Sequence, residues 1–270
     1  MLYINLYNSA MDNISVLLEF LHMPLGSTKE IFTKFAGMDG AIHRGTGKRQ
    51  FVYRPGMRKD RVLLVAHADT VFDKDEPREI VHEEGVIRNQ LGGLGADDRA
   101  GCAILWQLRD LGHSLIVTDG EESGGEGSRW LRDANQDIFD EINNRHQFVL
   151  EFDRRNGRDF KCYRVGTPEF RKYIREMTNY KEPDLSSFTD ICLLCGKVPG
   201  ANLSIGFRNE HSNLECLVVS EWQHTLDLCR QWLSQPKLPR FRIPKQKKIV
   251  YFDMNNRNFQ EHPYFEIDQV

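Results

Sequence analysis

The run LLVAHADTV places His67 and Asp69 two residues apart at the end of an apolar stretch. At that spacing in a strand both side chains leave the same face of a sheet, so they act on one site together. A metal-bound histidine commonly gives its other ring N–H to a carboxylate, and Asp69 stands where that partner belongs. A buried structural His–Asp pair at a strand end is the alternative. Further along, GLGADDRAG sets Asp97 and Asp98 between glycines and a helical stretch. One of these acids can cap the exposed N–H groups of the helix; the second needs another reason. In VTDGEESGGEG, Glu121 and Glu122 follow directly on the apolar strand SLIVTD. Neighbouring like charges are costly without something positive nearby, unless the turn is simply a solvated loop. EFDRR ends another apolar run on Asp153, and NLSIGFRNEHS brings His211 just past a further strand.

Ligand sites in open α/β sheets gather outside the carboxyl ends of the strands, and His67, Asp97, Glu122, Asp153 and His211 all fall at such ends or just beyond them. Their donors are all nitrogen or oxygen. That set suits a pair of divalent ions, zinc most naturally, with manganese or cobalt as alternatives.

The pieces HADTV, GADDRAG, GEE, EFD and NLSIGFRNEHS, in this order from Val62 to His211, resemble the co-catalytic di-zinc exopeptidases. That clan includes zinc aminopeptidases, tripeptidase T, glutamate-releasing carboxypeptidases and aminoacylases. The resemblance implies one metal held by His67 and Asp153, the other by Glu122 and His211, and Asp97 bridging them. Asp97 is chosen over Asp98 because the clan's bridging acid directly follows a small residue, here Ala96. Glu121 then falls on the general base, and Asp69 supports His67. Two divalent ions balanced by the carboxylates of Asp97, Glu122 and Asp153 and one hydroxide leave a neutral centre. Such a centre lowers the pKa of bound water from about 15.7 toward about 7 and polarises the scissile carbonyl. Glu121 can take the water's proton and deliver it to the leaving amine.

The resemblance departs in one respect. Many clan members insert a lid or dimerisation domain before the last histidine, and the 57 residues between Asp153 and His211 are too few to hold one. The chain is therefore nearer to the lidless aminopeptidases, which points to removal of an N-terminal residue from short peptides. An N-acyl amino acid deacylase or a carboxypeptidase with the same centre is the alternative. Asp190 in SSFTDI is the candidate acceptor for a free α-amine, with a helix-associated surface acid as the other reading. Arg208 is the candidate partner for a terminal carboxylate, or else the partner of a local acid. A catalytically inactive peptide- or partner-binding protein is the reading from another class.

The elements that must hold these residues alternate along the chain. Two helical stretches come first, with Ile14, Leu17, Leu18 and Leu21 on one face and a second start near Ser27 and Thr28. Then come QFVYR, VLLVAHAD, a hairpin in EIVHEEGVIR turning near Glu84 and Gly85, a helix from Arg99 to Leu111, SLIVTD, a helix through Trp130, and QFVLEFD. FKCYRV, a helix opening at Thr167 and Pro168, NLSIGF and an amphipathic helix from about Asn213 to Leu233 complete the series. The pattern predicts a three-layer α/β/α sandwich around a central mixed, mostly parallel sheet.

Composition narrows the remainder. The 270 residues carry 36 Lys and Arg against 39 Asp and Glu, for a formal net charge of -3. This excludes an acidic or basic extreme, and nucleic acid is not an expected partner. No stretch is long and apolar enough for a membrane span, and the start lacks the pattern of a secretory leader, so a cytoplasmic location is expected. The six cysteines are then expected to be reduced core residues, including the CxxC pair Cys192 and Cys195. Residues 1–270 read as a single catalytic domain, with 236–248 as a basic connector to a C-terminal extension, 249–270. The connector holds six basic residues, no acidic ones and three prolines, and is expected to be extended and solvated. Oligomeric state is left open.

Overall fold

The computed structural model describes residues 2–74, 77–183, 187–244, 249–253 and 258–262. Two helices open the chain, α1 (Leu2–His22) and α2 (Lys29–Ala36), followed by the strands β1 (Ile42–Thr46), β2 (Arg49–Arg54) and β3 (Leu63–His67). The hairpin β4 (Ile80–Glu83) and β5 (Val86–Asn89) leads to α3 (Ala96–Leu108), β6 (Ser114–Thr118), α4 (Glu126–Ala134) and α5 (Gln136–Arg145). Next come β7 (Val149–Arg154), β8 (Phe160–Lys161), α6 (Pro168–Thr178), α7 (Ile191–Leu194), β9 (Gly200–Ser204), β10 (Phe207–Arg208), β11 (Cys216–Val218) and α8 (Val219–Leu233). A terminal hairpin, β12 (Ile249–Asp253) and β13 (Asn258–His262), closes the described chain.

A seven-stranded sheet in the order β1-β2-β6-β3-β7-β9-β8 forms the middle layer. Its central strands β6, β3, β7 and β9 run parallel, while β1, β2 and β8 add antiparallel edges. Every residue of β3, β6 and β9 is buried, as strands covered on both faces must be, so they show no alternation of apolar and exposed polar positions. Alternate residues nonetheless serve two cores. Leu64 and Ala66 pack with Ala103, Leu17 and Trp222 from α3, α1 and α8, whereas Leu63 and Val65 pack with Leu131, Ile142 and Ile191 from α4, α5 and α7. The sheet therefore lies between two helical layers. Each fully buried Leu or Phe contributes about 1.5–3 kcal/mol, so both faces resist displacement of the strands that end at the acids described below.

Local chemistry sets the element ends. Thr167 accepts a hydrogen bond from the Phe170 N–H, Pro168 occupies the first turn of α6, and Asn179 ends that helix at φ 56°. The β4–β5 turn runs through Glu84 and Gly85, both at positive φ, as a two-residue hairpin of this twist requires. A second sheet, β10-β11-β5-β4, extends that hairpin beyond the sequence-based expectation. FKCYRV is a strand only at Phe160 and Lys161 before turning as a short helix at Tyr163–Val165, and the last long helix begins at Val219 after β11. Over its described residues, 236–244, the basic connector is mostly exposed as expected, but it is pinned to the domain at a few apolar positions. Leu238 is buried, Phe241 packs on the rings of Phe170 and Tyr173, and Ile243 N–H donates to Lys197 O at 2.8 Å. Apolar residues interleaved with the basic ones anchor it, a pattern that net charge alone conceals. Its end, residues 245–248, and residues 254–257 and 263–270 of the extension lie outside the described residues. Among the described residues no helix is long and apolar enough to cross a membrane, and the six cysteines are free thiols.

Candidate metal centre

Because β6, β3, β7 and β9 are parallel, their carboxyl ends lie along one edge of the sheet. His67 ends β3, Glu121 and Glu122 occupy the turn after β6, and Asp153 sits on β7. Asp97 and Asp98 open α3 with non-helical dihedrals, and His211 lies in the turn after β10 at φ 62°. These residues, spread over 145 positions of chain from His67 to His211 inclusive, are brought into contact.

The Asp97 carboxylate spans the two histidines. Its Oδ1 is 3.2 Å from His67 Nε2 and its Oδ2 is 3.2 Å from His211 Nε2. His67 Nε2 also lies 3.6 Å from Asp153 Oδ1, and His211 Nε2 lies 3.0 Å from Glu122 Oε1. Donors sharing a tetrahedral ion with bonds of about 2.1 Å sit about 3.4 Å apart, so these separations suit a shared cation. The orientations point the same way. Glu122 Oε1 is buried and lacks a hydrogen-bond partner although an imidazole nitrogen is 3.0 Å away, so the two atoms are near without being aligned for a proton. The donor set and its orphaned oxygen fit a metal ion, the kind of group that the resemblance implies.

The electrostatics ask for positive charge. Burial opposes protonation of His67, but the carboxylates of Asp153, Asp69 and Asp97 outweigh it and hold its pKa well above the ordinary value. Asp97 and Glu122 raise His211 to about 11. Glu121 is pushed up to about 9, first by burial and then by Asp153, Asp190 and Asp97, against the pull of His67. Carboxylates crowded in this way are destabilised unless cations compensate them.

The surrounding shell accounts for the other acids. Asp69 Oδ1 lies 3.3 Å from His67 Nδ1 and accepts the Glu121 N–H at 3.1 Å, while Oδ2 accepts the Glu122 N–H at 3.2 Å. It thus joins β3 to the turn that carries both glutamates. Asp98 accepts from His67 N and, as a helix cap, from Gly101 N at 2.9 Å. Three supporting residues escaped the sequence reading. Glu215, buried, accepts from Gly95 N at 2.6 Å and Asp97 N at 3.0 Å; Thr189 donates to Asp153 Oδ2 at 2.9 Å; Asn202 holds the Asp153 backbone through both amide atoms. Asn202, a polar residue inside an apolar strand, was the available signal. Asp190 is buried rather than a surface acid, accepting from Thr118 Oγ1 at the start of α7 with Oδ1 unpartnered. Arg208 pairs with Glu221 at 2.6 Å.

Two cavities meet this cluster. One of about 900 Å³ is lined by Asp69 and Glu122 together with Asp119, Phe32 and residues of the β1–β2 turn. The other, about 300 Å³, is lined by Asp97, Glu121, Asp153, His211, Arg155 and Tyr163. Neither Asp190 nor Arg208 lines these two cavities.

No protein-family model matches the sequence, and no curated protein does. Solved structures do match. Aminopeptidase PepT from Bacillus cereus aligns with 83% of this chain and 98% of its own at 13% identity and a TM-score of 0.61. A tripeptidase from Staphylococcus aureus aligns with 84% and 99% at 12% identity and a TM-score of 0.60. A glutaminyl cyclase from an Acidobacteriales bacterium aligns with 83% and 93% at 14% identity and a TM-score of 0.58. The same architecture thus carries more than one chemistry, and the reaction must be argued from the site. What the likeness shows is that this chain has the α/β fold of these peptidases.

Proposed function

We propose that the chain is a metal-dependent exopeptidase, an aminopeptidase of short peptides, with two zinc ions held by His67, Asp97, Glu122, Asp153 and His211. The observation that carries this reading is the Asp97 carboxylate, with one oxygen 3.2 Å from each histidine, and Asp153 and Glu122 completing the two halves. When bound, the ions supply an acidified water and polarise the scissile carbonyl. Glu121, which lines the smaller cavity beside Asp97, Asp153 and His211, would take the water's proton and pass it to the departing amine. The Asp69 backbone carbonyl, 3.1 Å from His67 Nδ1 with the carboxylate at 3.3 Å, favours the tautomer whose Nδ1 carries the proton and leaves Nε2 as donor atom, and the Asp69 carboxylate holds the Glu121–Glu122 turn by two N–H bonds. Thr189 holds the Asp153 carboxylate, and Asn202 ties the Asp153 backbone to β9 where the strand pairing shifts register.

Glu121 lines the smaller cavity and not the larger. The amine that receives its proton leaves on that side, and the acyl half, carrying the first residue, lies in the larger cavity. The test is a mass-spectrometric screen of zinc-loaded protein against short peptides with free, acetylated and amidated ends, with Glu121→Gln as the blank. Loss of the first residue from free-amine peptides alone is expected. Release of the last residue, or cleavage of acetylated substrates, would replace this reading by a carboxypeptidase or deacylase.

A further inference from the structure

The larger cavity has a buried acid that the proposed chemistry does not use. Asp119 follows β6, is 4% exposed and lines the cavity. Its Oδ2 accepts from Thr28 Oγ1 at 2.8 Å and Gln50 Nε2 at 2.7 Å, and its Oδ1 accepts from Gly120 N at 2.8 Å. All three donors are neutral. Arg99 acts on it only through space, its own guanidinium being bonded to the carbonyls of Pro24 and Ser27. A buried carboxylate without a directly paired cation is expensive, and burial, with Asp69 nearby, holds the Asp119 pKa above its ordinary value. Each carboxylate oxygen accepts about two hydrogen bonds, so Oδ1 keeps room for one more donor.

The rest of the cavity suits a long side chain with a cationic end. Phe32, Val71 and Phe72 offer apolar wall for an aliphatic stem. Asp69, Asp73, Asp119 and Glu122 outnumber Lys29 and Lys48 along it, and the Lys48 ammonium is engaged by Ser123 Oγ at 2.6 Å. Resting on the exopeptidase reading for which half of the substrate enters, we propose that this cavity selects a basic side chain on the substrate's first residue, with Asp119 as its countercharge. This makes Asp119 a specificity residue, held ready by Thr28 at the start of α2 and by Gln50 on β2.

The test compares argininamide with citrullinamide, which has the same length and shape but no charge. Calorimetric titration into zinc-loaded Glu121→Gln protein reads binding without turnover. The arginine compound is expected to bind about tenfold more tightly, and Asp119→Asn is expected to bring the two affinities together. Equal affinities in the parent protein, no binding of argininamide, or a preference that survives in Asp119→Asn overturns the proposal. Lys29→Met, at an exposed position, is the variant least able to disturb folding. Removing its like charge should widen the preference about twofold, and a preference unchanged or narrowed counts against the cavity's selecting cations. Peptide cleavage by the wild-type enzyme is scored separately. Selective binding without any cleavage would overturn the exopeptidase reading and leave the cation site standing, whereas cleavage indifferent to charge would do the reverse.

Discussion

His113 and His146 are buried as deeply as His67, yet burial has opposite consequences in the two regions. His113 accepts from Val62 N at 3.2 Å and donates to Leu233 O at 3.0 Å; His146 donates to Ile142 O at 3.0 Å and accepts from Ser114 Oγ at 2.7 Å. Each neutral ring has both nitrogens satisfied, and burial depresses the pKa to about 4 for His113 and about 3 for His146. At the strand ends His67 faces carboxylates on both sides of its ring, and its pKa moves upward. A buried histidine is therefore informative only through its neighbours. Neutral partners close a core, and a surplus of acids marks a place for cations.

The largest expected effect separates chemistry from binding within the site. Glu121→Gln should lower turnover about 10³-fold while the protein still takes up two zinc ions, read by kinetics alongside equilibrium dialysis. Retained activity would remove Glu121 from its role. Zinc itself should raise the unfolding free energy by about 2.7 kcal/mol for each ion bound at a free concentration one hundred times its dissociation constant, reversed by a chelator. A denaturation midpoint indifferent to zinc would make the acid cluster structural, like the core histidines.

The core side of the comparison is tested by acid. A histidine whose folded pKa lies below its unfolded value of about 6.5 gives stability that is present above pH 6.5 and lost as the pH falls toward the folded value. For His113 that window runs from about 6.5 to about 4, and for His146 to about 3. Each should cost about 2 kcal/mol between pH 7.5 and pH 5. The penalty of His146→Gln, measured by urea unfolding of metal-free protein, should therefore shrink by about that amount at the lower pH. An unchanged penalty would mean that the ring is charged in the core. The smallest effect belongs to the link between regions: Asp69→Asn should weaken zinc binding about tenfold and leave the fold intact, measured by competition with a chromophoric chelator.

Much of the fold is legible in local sequence. The hairpin at Glu84 and Gly85 and the cap at Thr167 are encoded by neighbouring residues, and each forms as read. His67, Glu122, Asp153 and His211 stand at or just beyond the ends of apolar runs, whereas Asp97 is singled out from Asp98 only by the family resemblance. The helix-cap alternative offered for one acid of the Asp97–Asp98 pair describes what Asp98 does. The strand expected over FKCYRV was cut short because only its first two residues find a partner in β9.

Other features have no local signature. Glu215 binds amides 118 and 120 positions away, and Asp119 is held from positions 91 and 69 away. The sequence by itself determined which elements form and which residue types stand at strand ends, because periodicity, turn chemistry and capping act over a few residues. The order β1-β2-β6-β3-β7-β9-β8 was decided only by tertiary packing, as was the pairing of each acid with a histidine, an amide or an open cavity. Those outcomes depend on contacts between distant segments, and whether a carboxylate is a cap, a brace or an unpaired charge is set by what folding brings within about 3 Å of it.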